Sequence, residues 1–300
     1  MMLSNFNKKT MISLQENDYG FFQVFPTPSQ AELEEYYSKR YYQAPTVATY
    51  SKHYNEEELR LTKIAAEVAD IVVKNNSLNS EPTLFDIGCG EGFFMSFLEQ
   101  LGWSVFGTDY SEAGIQAQNP HLFSKVTYGN AELDLNQRIL EGQKFKLVNL
   151  GNILEHVTDP ISFIRTIKQL IDKDGVLRIV VPNDTSEFQG LLKSLGKSKD
   201  EWYCAPDHLS YFNFKSLINF VTKEGFSVID SFGDFPIEMF LMNDFSNYYN
   251  IKESGPQAHL ARVKIMNFVR DQGLDVYLEW SKALAKTKLS RSCIIYCKIS

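Results

Sequence analysis

Thr83-Leu84-Phe85-Asp86-Ile87-Gly88-Cys89-Gly90-Glu91-Gly92-Phe93-Phe94 is an apolar run that closes on an acid and then meets glycine at every second position. The run suits a buried strand, and the glycines suit a backbone that turns sharply and lets a ligand approach closely. Phe94, Phe97, Leu98 and Leu101 follow at helical spacing until Gly102 supplies the stop. The unit is therefore strand, glycine loop, helix. Its helix N-terminus favours a nucleotide-like ligand, a property shared by many α/β proteins.

A second strand, Ser104-Val105-Phe106-Gly107-Thr108, ends on Asp109-Tyr110-Ser111. A carboxylate at that tip accepts both hydroxyls of a ribose and repels a 2′-phosphate. A dinucleotide fingerprint sets its third glycine three residues after the second, whereas a single residue separates Gly90 from Gly92 and Asp86 stands just before the turn. An acidic loop without room for a pyrophosphate disfavours NAD, and with it a dehydrogenase or epimerase. It suits S-adenosylmethionine, whose amino-acid end carries an ammonium.

At this point the chain resembles the class I S-adenosylmethionine-dependent methyltransferases, with Asp86–Gly92 similar to their first motif. Gly129-Asn130-Ala131-Glu132 resembles the adenine-contacting loop. Phe145–Asn152 with Ile153–Pro160 is similar to the fourth motif, and Gly175–Asn183 to the fifth strand. The resemblance spans about Leu61 to Ser231 plus the last strand. It implies a Rossmann-like α/β fold, with a seven-stranded mostly parallel sheet and helices on both faces. It also implies cofactor contacts from Asp86, Gly88, Cys89, Gly90, Gly92, Asp109, Tyr110, Asn130, Ala131, Gly151 and Asn152. Two positions depart from the family pattern: Lys146 where an acid is common, read as a surface change, and Asn152 where Glu is common.

The chain of 300 residues, 44% hydrophobic, can bury a full core. No window approaches the ~18 apolar residues needed to span a bilayer, and no secretory signal follows the polar start, so a cytoplasmic protein is expected. A net charge of −7 without a Lys/Arg cluster argues against nucleic acid as substrate. A small-molecule acceptor fits better. Cys89, Cys204, Cys293 and Cys297 lack paired spacing, so neither a disulfide framework nor a metal site is expected.

Punctuation divides the chain into four parts. Residues 1–54 are irregular and tyrosine-rich (Tyr36, Tyr37, Tyr41, Tyr42, Tyr50, Tyr54) and read as a lid or extension. Residues 55–234 form the cofactor-binding core, opened by Asn55 as N-cap before Glu56-Glu57-Glu58. Residues 235–290 form a helical insertion that reads as a substrate cap or a homodimer contact, and residues 291–300 the final core strand.

Methyl transfer is an in-line displacement, so the protein must position the acceptor and, for a hydroxyl, remove its proton. His156 and His208 are the candidate bases, on loops expected above the strand ends. Trp202, Tyr203, His208, Tyr211 and His259 are candidate acceptor contacts, since rings stack on aromatics and hydroxyls need polar partners. The expected reaction is O-methylation of a sugar or sugar nucleotide. N-methylation of an amino sugar or other amine, and a non-catalytic binding protein on the same fold, remain as alternatives.

Overall fold

The computed structural model describes residues 13–29, 32–33, 54–77, 81–199 and 203–300. Trp202 and the tyrosines at 36, 37, 41, 42 and 50 lie outside those residues, whereas Tyr54 lies within them.

An N-terminal hairpin, β1 (Ser13–Glu16) and β2 (Phe22–Phe25), precedes helix α1 (Glu56–Asn76). The core then alternates β3 (Thr83–Ile87), α2 (Phe93–Gln100), β4 (Ser104–Asp109), α3 (Ala113–Gln118), β5 (Val126–Tyr128), α4 (Ala131–Leu140), β6 (Phe145–Gly151), α5 (Pro160–Lys168) and β7 (Ile171–Pro182). After β7 come α6 (Glu187–Ser194), β8 (Ser210–Tyr211), α7 (Phe214–Lys223), β9 (Phe226–Gly233), α8 (Ser254–Asp271), α9 (Leu274–Thr287) and β10 (Ser292–Ile299).

Seven strands form one sheet in the order β5-β4-β3-β6-β7-β10-β9. β3 to β7 pair in parallel, and β10 runs antiparallel between β7 and β9. Parallel strands covered on both faces read as continuous apolar runs, as in the buried strand β6. The topology brings the C-terminal ends of β3, β4, β6 and β7 to one edge. Because Ser292 pairs with Pro182 and Cys293 with Gly233, the start of β10 and the end of β9 lie at that edge too.

One face carries α1, α2 and parts of α8 and α9, where Val68, Val72, Leu98, Met266 and Tyr277 join one apolar cluster. Asn55 starts α1 with a reciprocal capping box to Glu58, as its sequence predicts. The opposite face packs α5 and α7 through Phe163, Ile167, Leu217 and Phe220.

A row of polar side chains crosses the middle of the sheet. Asp86, Asn149, Arg178 and Tyr296 are in register on β3, β6, β7 and β10. Asn149 donates to Asp86 (2.6 Å), and Arg178 donates to Asn149 (2.7 Å) and to the Tyr296 hydroxyl (3.1 Å). The guanidinium also lies over the Phe94 ring, 4.9 Å from its centroid. Burial pushes the Asp86 carboxyl up to about 6, against the lowering effects of Asn149 and Arg178.

Three expectations change. Residues 13–25, expected to be irregular, form a hairpin that pairs with β8 to make a small three-stranded sheet, and Tyr19 anchors it by donating to Glu224 at the end of α7 (2.6 Å). The apolar faces of α8 and α9 lie along α1 and β9, on the flank of the sheet, because Tyr277 is spent in the core. The segment around the short turn at Ile237–Met242 lies beside the strand-end edge, where Glu238 meets Arg291 at the start of β10, and α8 borders the glycine loop through a cavity that His259 and Arg262 share with Glu91 and Phe93. Lys146, read as a surface change, is 8% exposed and pairs with Asp172 (3.3 Å) and Asp174.

Candidate active site

The glycine loop leaves β3 at Gly88. Gly88, Gly90 and Gly92 all have positive φ (71°, 57° and 77°). A side chain on Gly88 would overlap Ile153, and one on Gly92 would overlap Ile115. Glycine is required there for space as well as for conformation. The Gly90 N–H donates to Asp109 Oδ2 (2.8 Å) and the Ser111 N–H to Oδ1 (3.0 Å), so the carboxylate at the tip of β4 is fixed by backbone alone. Burial raises its pKa, with those hydrogen bonds opposing. Each carboxylate oxygen keeps a further lone pair, which is what two ribose hydroxyls require. Tyr110 beside it is exposed, and Gly129 is bonded to the Asp109 carbonyl and has open space where a side chain would stand.

Two expected cofactor contacts prove to have other work. The Asn130 side-chain oxygen caps α4 by accepting from the Glu132 N–H (2.8 Å). The Asp86 carboxylate is turned into the polar row beneath the loop. Half-buried Cys89 carries a thiol that burial pushes well up, which makes it packing rather than chemistry. Asn152, next to Gly151 at the end of β6, adopts φ 57°, a left-handed conformation that asparagine tolerates. That turn lays Ile153 against Gly88 and leads into the short turn Leu154–His156.

Beside this turn the structure gathers a charged group. The loops bearing Glu155 and His208 are stitched together by the Leu209 N–H, which donates to the Glu155 carbonyl (2.7 Å). The His156 and His208 rings meet edge to face at 4.9 Å. His156 Nδ1 is hydrogen-bonded to the Asp207 carbonyl, and Nε2 lies 4.0 Å from Glu155 Oε1. A backbone carbonyl only accepts, so Nδ1 carries the proton and Nε2 the lone pair. Burial and the neighbouring His208 hold His156 below the usual histidine pKa. Burial pushes the Glu155 carboxyl up to about 7.

His208 Nδ1 stands 3.6 Å from Asp184 Oδ2, within ion-pair range and beyond hydrogen-bond range. Burial works against the charged imidazole, but Asp184, Cys204 and Glu155 outweigh it and push its pKa up to about 10. Arg291 at the start of β10 holds Asp184 (2.8 Å) and faces Glu238 (3.4 Å). Asp184, Glu238 and Arg291 went unnoticed in the sequence. The one local signal is Asp184 two residues beyond the tip of β7, where this fold collects functional side chains.

Tyr211 leaves the expected acceptor set. It is fully buried in β8, with its hydroxyl donating to the His208 carbonyl (3.0 Å), and it thereby supports the loop from behind. Tyr203 packs edge to face on it at 5.0 Å. His259 joins a different group: it pairs with Glu58 on α1 (3.0 Å) and lines a cavity of about 250 Å³ with Tyr54, Glu91, Phe93 and Arg262.

Residues 53–231, more than half of the chain, match the sequence model of a family described as a methyltransferase domain. The chain belongs to that family. With the glycine loop, Asp109 and the strand order above, it is a class I methyltransferase whose cofactor is S-adenosylmethionine. Among similar proteins are the ubiquinone biosynthesis O-methyltransferases of Haemophilus ducreyi (32% identical over 146 residues) and Caulobacter vibrioides (32% over 113). The aligned segments cover 44% and 37% of this chain, and 61% and 45% of those proteins, in each case less than two thirds of the relative. A solved methyltransferase from Archaeoglobus fulgidus shares the fold with TM-score 0.50 and 17% identity, over 80% of this chain and 94% of that one. Among the described residues no helix is long and apolar enough to cross a membrane.

Asp109 is the expected charged acceptor for the ribose of the cofactor. Asp109→Ala is expected to weaken S-adenosylmethionine binding by about 1.5–3 kcal/mol, because two hydroxyls lose a charge-assisted partner. Calorimetry on the folded variant checks this, and unchanged affinity would remove Asp109 from the site.

Proposed function

We propose that this methyltransferase O-methylates a small hydroxylated acceptor, with a phenol or catechol as the preferred class, and that the acceptor's proton leaves through the group formed by Glu155, His156 and His208. The observation that carries the reading is the fixed His156 ring, neutral near pH 7 and presenting a bare Nε2 beside a buried carboxyl. A phenolic hydroxyl, with a pKa of about 10 as in tyrosine, yields its proton to such a group far more readily than a sugar hydroxyl does. The name shared by the relatives agrees with an oxygen acceptor and says nothing of a sugar. The sugar acceptor expected from the sequence is therefore demoted to a competitor.

S-adenosylmethionine supplies the electrophilic methyl group, which passes to the acceptor oxygen as its bond to sulfur breaks. The chain holds the ribose at Asp109, fixes the loop at Gly88–Gly92, and presents the deprotonating group from the turn after β6. Tritium transfer from labelled S-adenosylmethionine to a panel of catechols, phenols, sugars and amines tests the reading. Labelled phenolic ethers are expected. Transfer only to amines or only to sugars, or cofactor binding without turnover on any acceptor, would overturn it.

A further inference from the structure

We propose that the cavity between the glycine loop, the first turns of α1 and α8 holds the amino-acid end of S-adenosylmethionine, with Glu91 accepting from its ammonium and Arg262 donating to its carboxylate. The inference rests on the cofactor assignment and is independent of the class of acceptor.

The ammonium needs an acid, and Asp86 is committed elsewhere: its carboxyl is 3% exposed and accepts from Asn149 in the polar row. Glu91 is the other acid of the loop. It directly follows Gly90, whose N–H holds Asp109, so its side chain leaves the loop next to the expected ribose site. Glu91 Oε2 accepts from the Tyr54 hydroxyl (2.6 Å), while Oε1 is buried without a hydrogen-bond partner among the described residues. A carboxylate oxygen left so is costly until a donor reaches it. Burial raises the Glu91 pKa, with the Tyr54 hydroxyl opposing, and an ammonium beside it would favour the ionised form. Glu58 also lines the cavity, but the Asn55 N–H (3.1 Å) and His259 (3.0 Å) already engage it.

Arg262 reaches the same cavity from α8. Its Nε is buried and has no hydrogen-bond partner among the described residues, and its Nη2 has only the Nδ1 of His259 at 3.4 Å. Asp234 Oδ2 stands 4.0 Å from Nη1, beyond hydrogen-bond range, and that carboxylate is held by the Ser292 N–H (2.7 Å) and hydroxyl (3.1 Å). A guanidinium in this state offers a planar fork that matches a carboxylate. An acceptor on the loop and a donor on α8 thus complement a zwitterion, and Phe93 and Leu61 line the space for its methylenes. The cavity, about 250 Å³, falls below the ~300–1,000 Å³ of sites that take a whole ligand, and suits one end of a cofactor whose ribose lies at Asp109. The insertion, read from sequence as a substrate cap or dimer contact, would then complete the cofactor site. A free amino acid carries the same zwitterion, and the test separates the two.

The test is calorimetry on the full chain with three ligands: S-adenosylmethionine, its decarboxylated form, which keeps the ammonium, and 5′-methylthioadenosine, which lacks the amino-acid end. Arg262→Met is expected to weaken S-adenosylmethionine about tenfold or more and to leave the other two within about threefold. Glu91→Gln is expected to weaken both ammonium-bearing ligands about tenfold or more and to spare 5′-methylthioadenosine. If one variant fails to fold, the other decides. Unchanged binding in a folded variant, or an equal loss on all three ligands, would overturn the proposal and leave the cofactor assignment standing. So would free methionine that binds the parent without competing with S-adenosylhomocysteine. A folded parent that binds none of the three ligands would overturn the cofactor assignment and this inference with it.

Discussion

Replacing His156 with alanine is expected to lower kcat by about 10²–10⁴ while affinity for S-adenosylmethionine stays within a few-fold. The side chain stands in the turn after β6 and faces Glu155 and His208, whereas Asp109, the expected ribose partner, belongs to β4. The loss should therefore fall on the chemical step. His156 must be neutral to offer Nε2 to the acceptor's proton. Its pKa is held below the usual histidine value of about 6.5, so the parent rate should fall only as pH drops through that lower value. The variant should lose this acid limb. Single-turnover rates across pH, with cofactor affinity measured separately, check both parts. Retention of near-parent kcat would mean that positioning alone sustains the rate, and an amine acceptor would then become the leading reading.

What the sequence made legible was local. Gly88, Gly90 and Gly92, the carboxylate of Asp109 and the cap at Asn55 announce themselves within a few residues, because turn conformation and capping are settled by near neighbours. What stayed hidden depended on distant pairing. Asp184 acquires its meaning from Arg291, which is far away in the chain but adjacent once β10 lies against β7. Tyr211 looked like a ligand platform among aromatics, yet its pairing with Phe22 of the N-terminal hairpin turns it into core. That hairpin had one sequence signal, the turn Asn17-Asp18-Tyr19-Gly20 between four-residue strands, too short for periodicity to register. Tyr277 lies on an apolar helical face, but periodicity does not say which surface such a face meets.

The polar row beneath the glycine loop predicts the largest effect on stability. Arg178→Met keeps the length of the stem and removes the guanidinium that serves Asn149, Tyr296 and, through Asn149, the buried Asp86. Breaking a buried ionic group from one side leaves the other uncompensated and costs about 3–5 kcal/mol. The cost should depend on pH. Asp86 in the parent already has a carboxyl pKa raised to about 6, so the fold holds its proton more tightly than the unfolded chain does. Its contribution thus favours folding at low pH and is lost as pH rises toward 6. Without Arg178 the folded pKa climbs further, and that loss continues above pH 6. The stability gap between parent and variant should therefore be smaller at pH 5 than at pH 8, by urea denaturation at each pH. A gap independent of pH would show that Asp86 gains nothing from the guanidinium and that Arg178 acts through its hydrogen bonds to Asn149 and Tyr296 and its packing on Phe94.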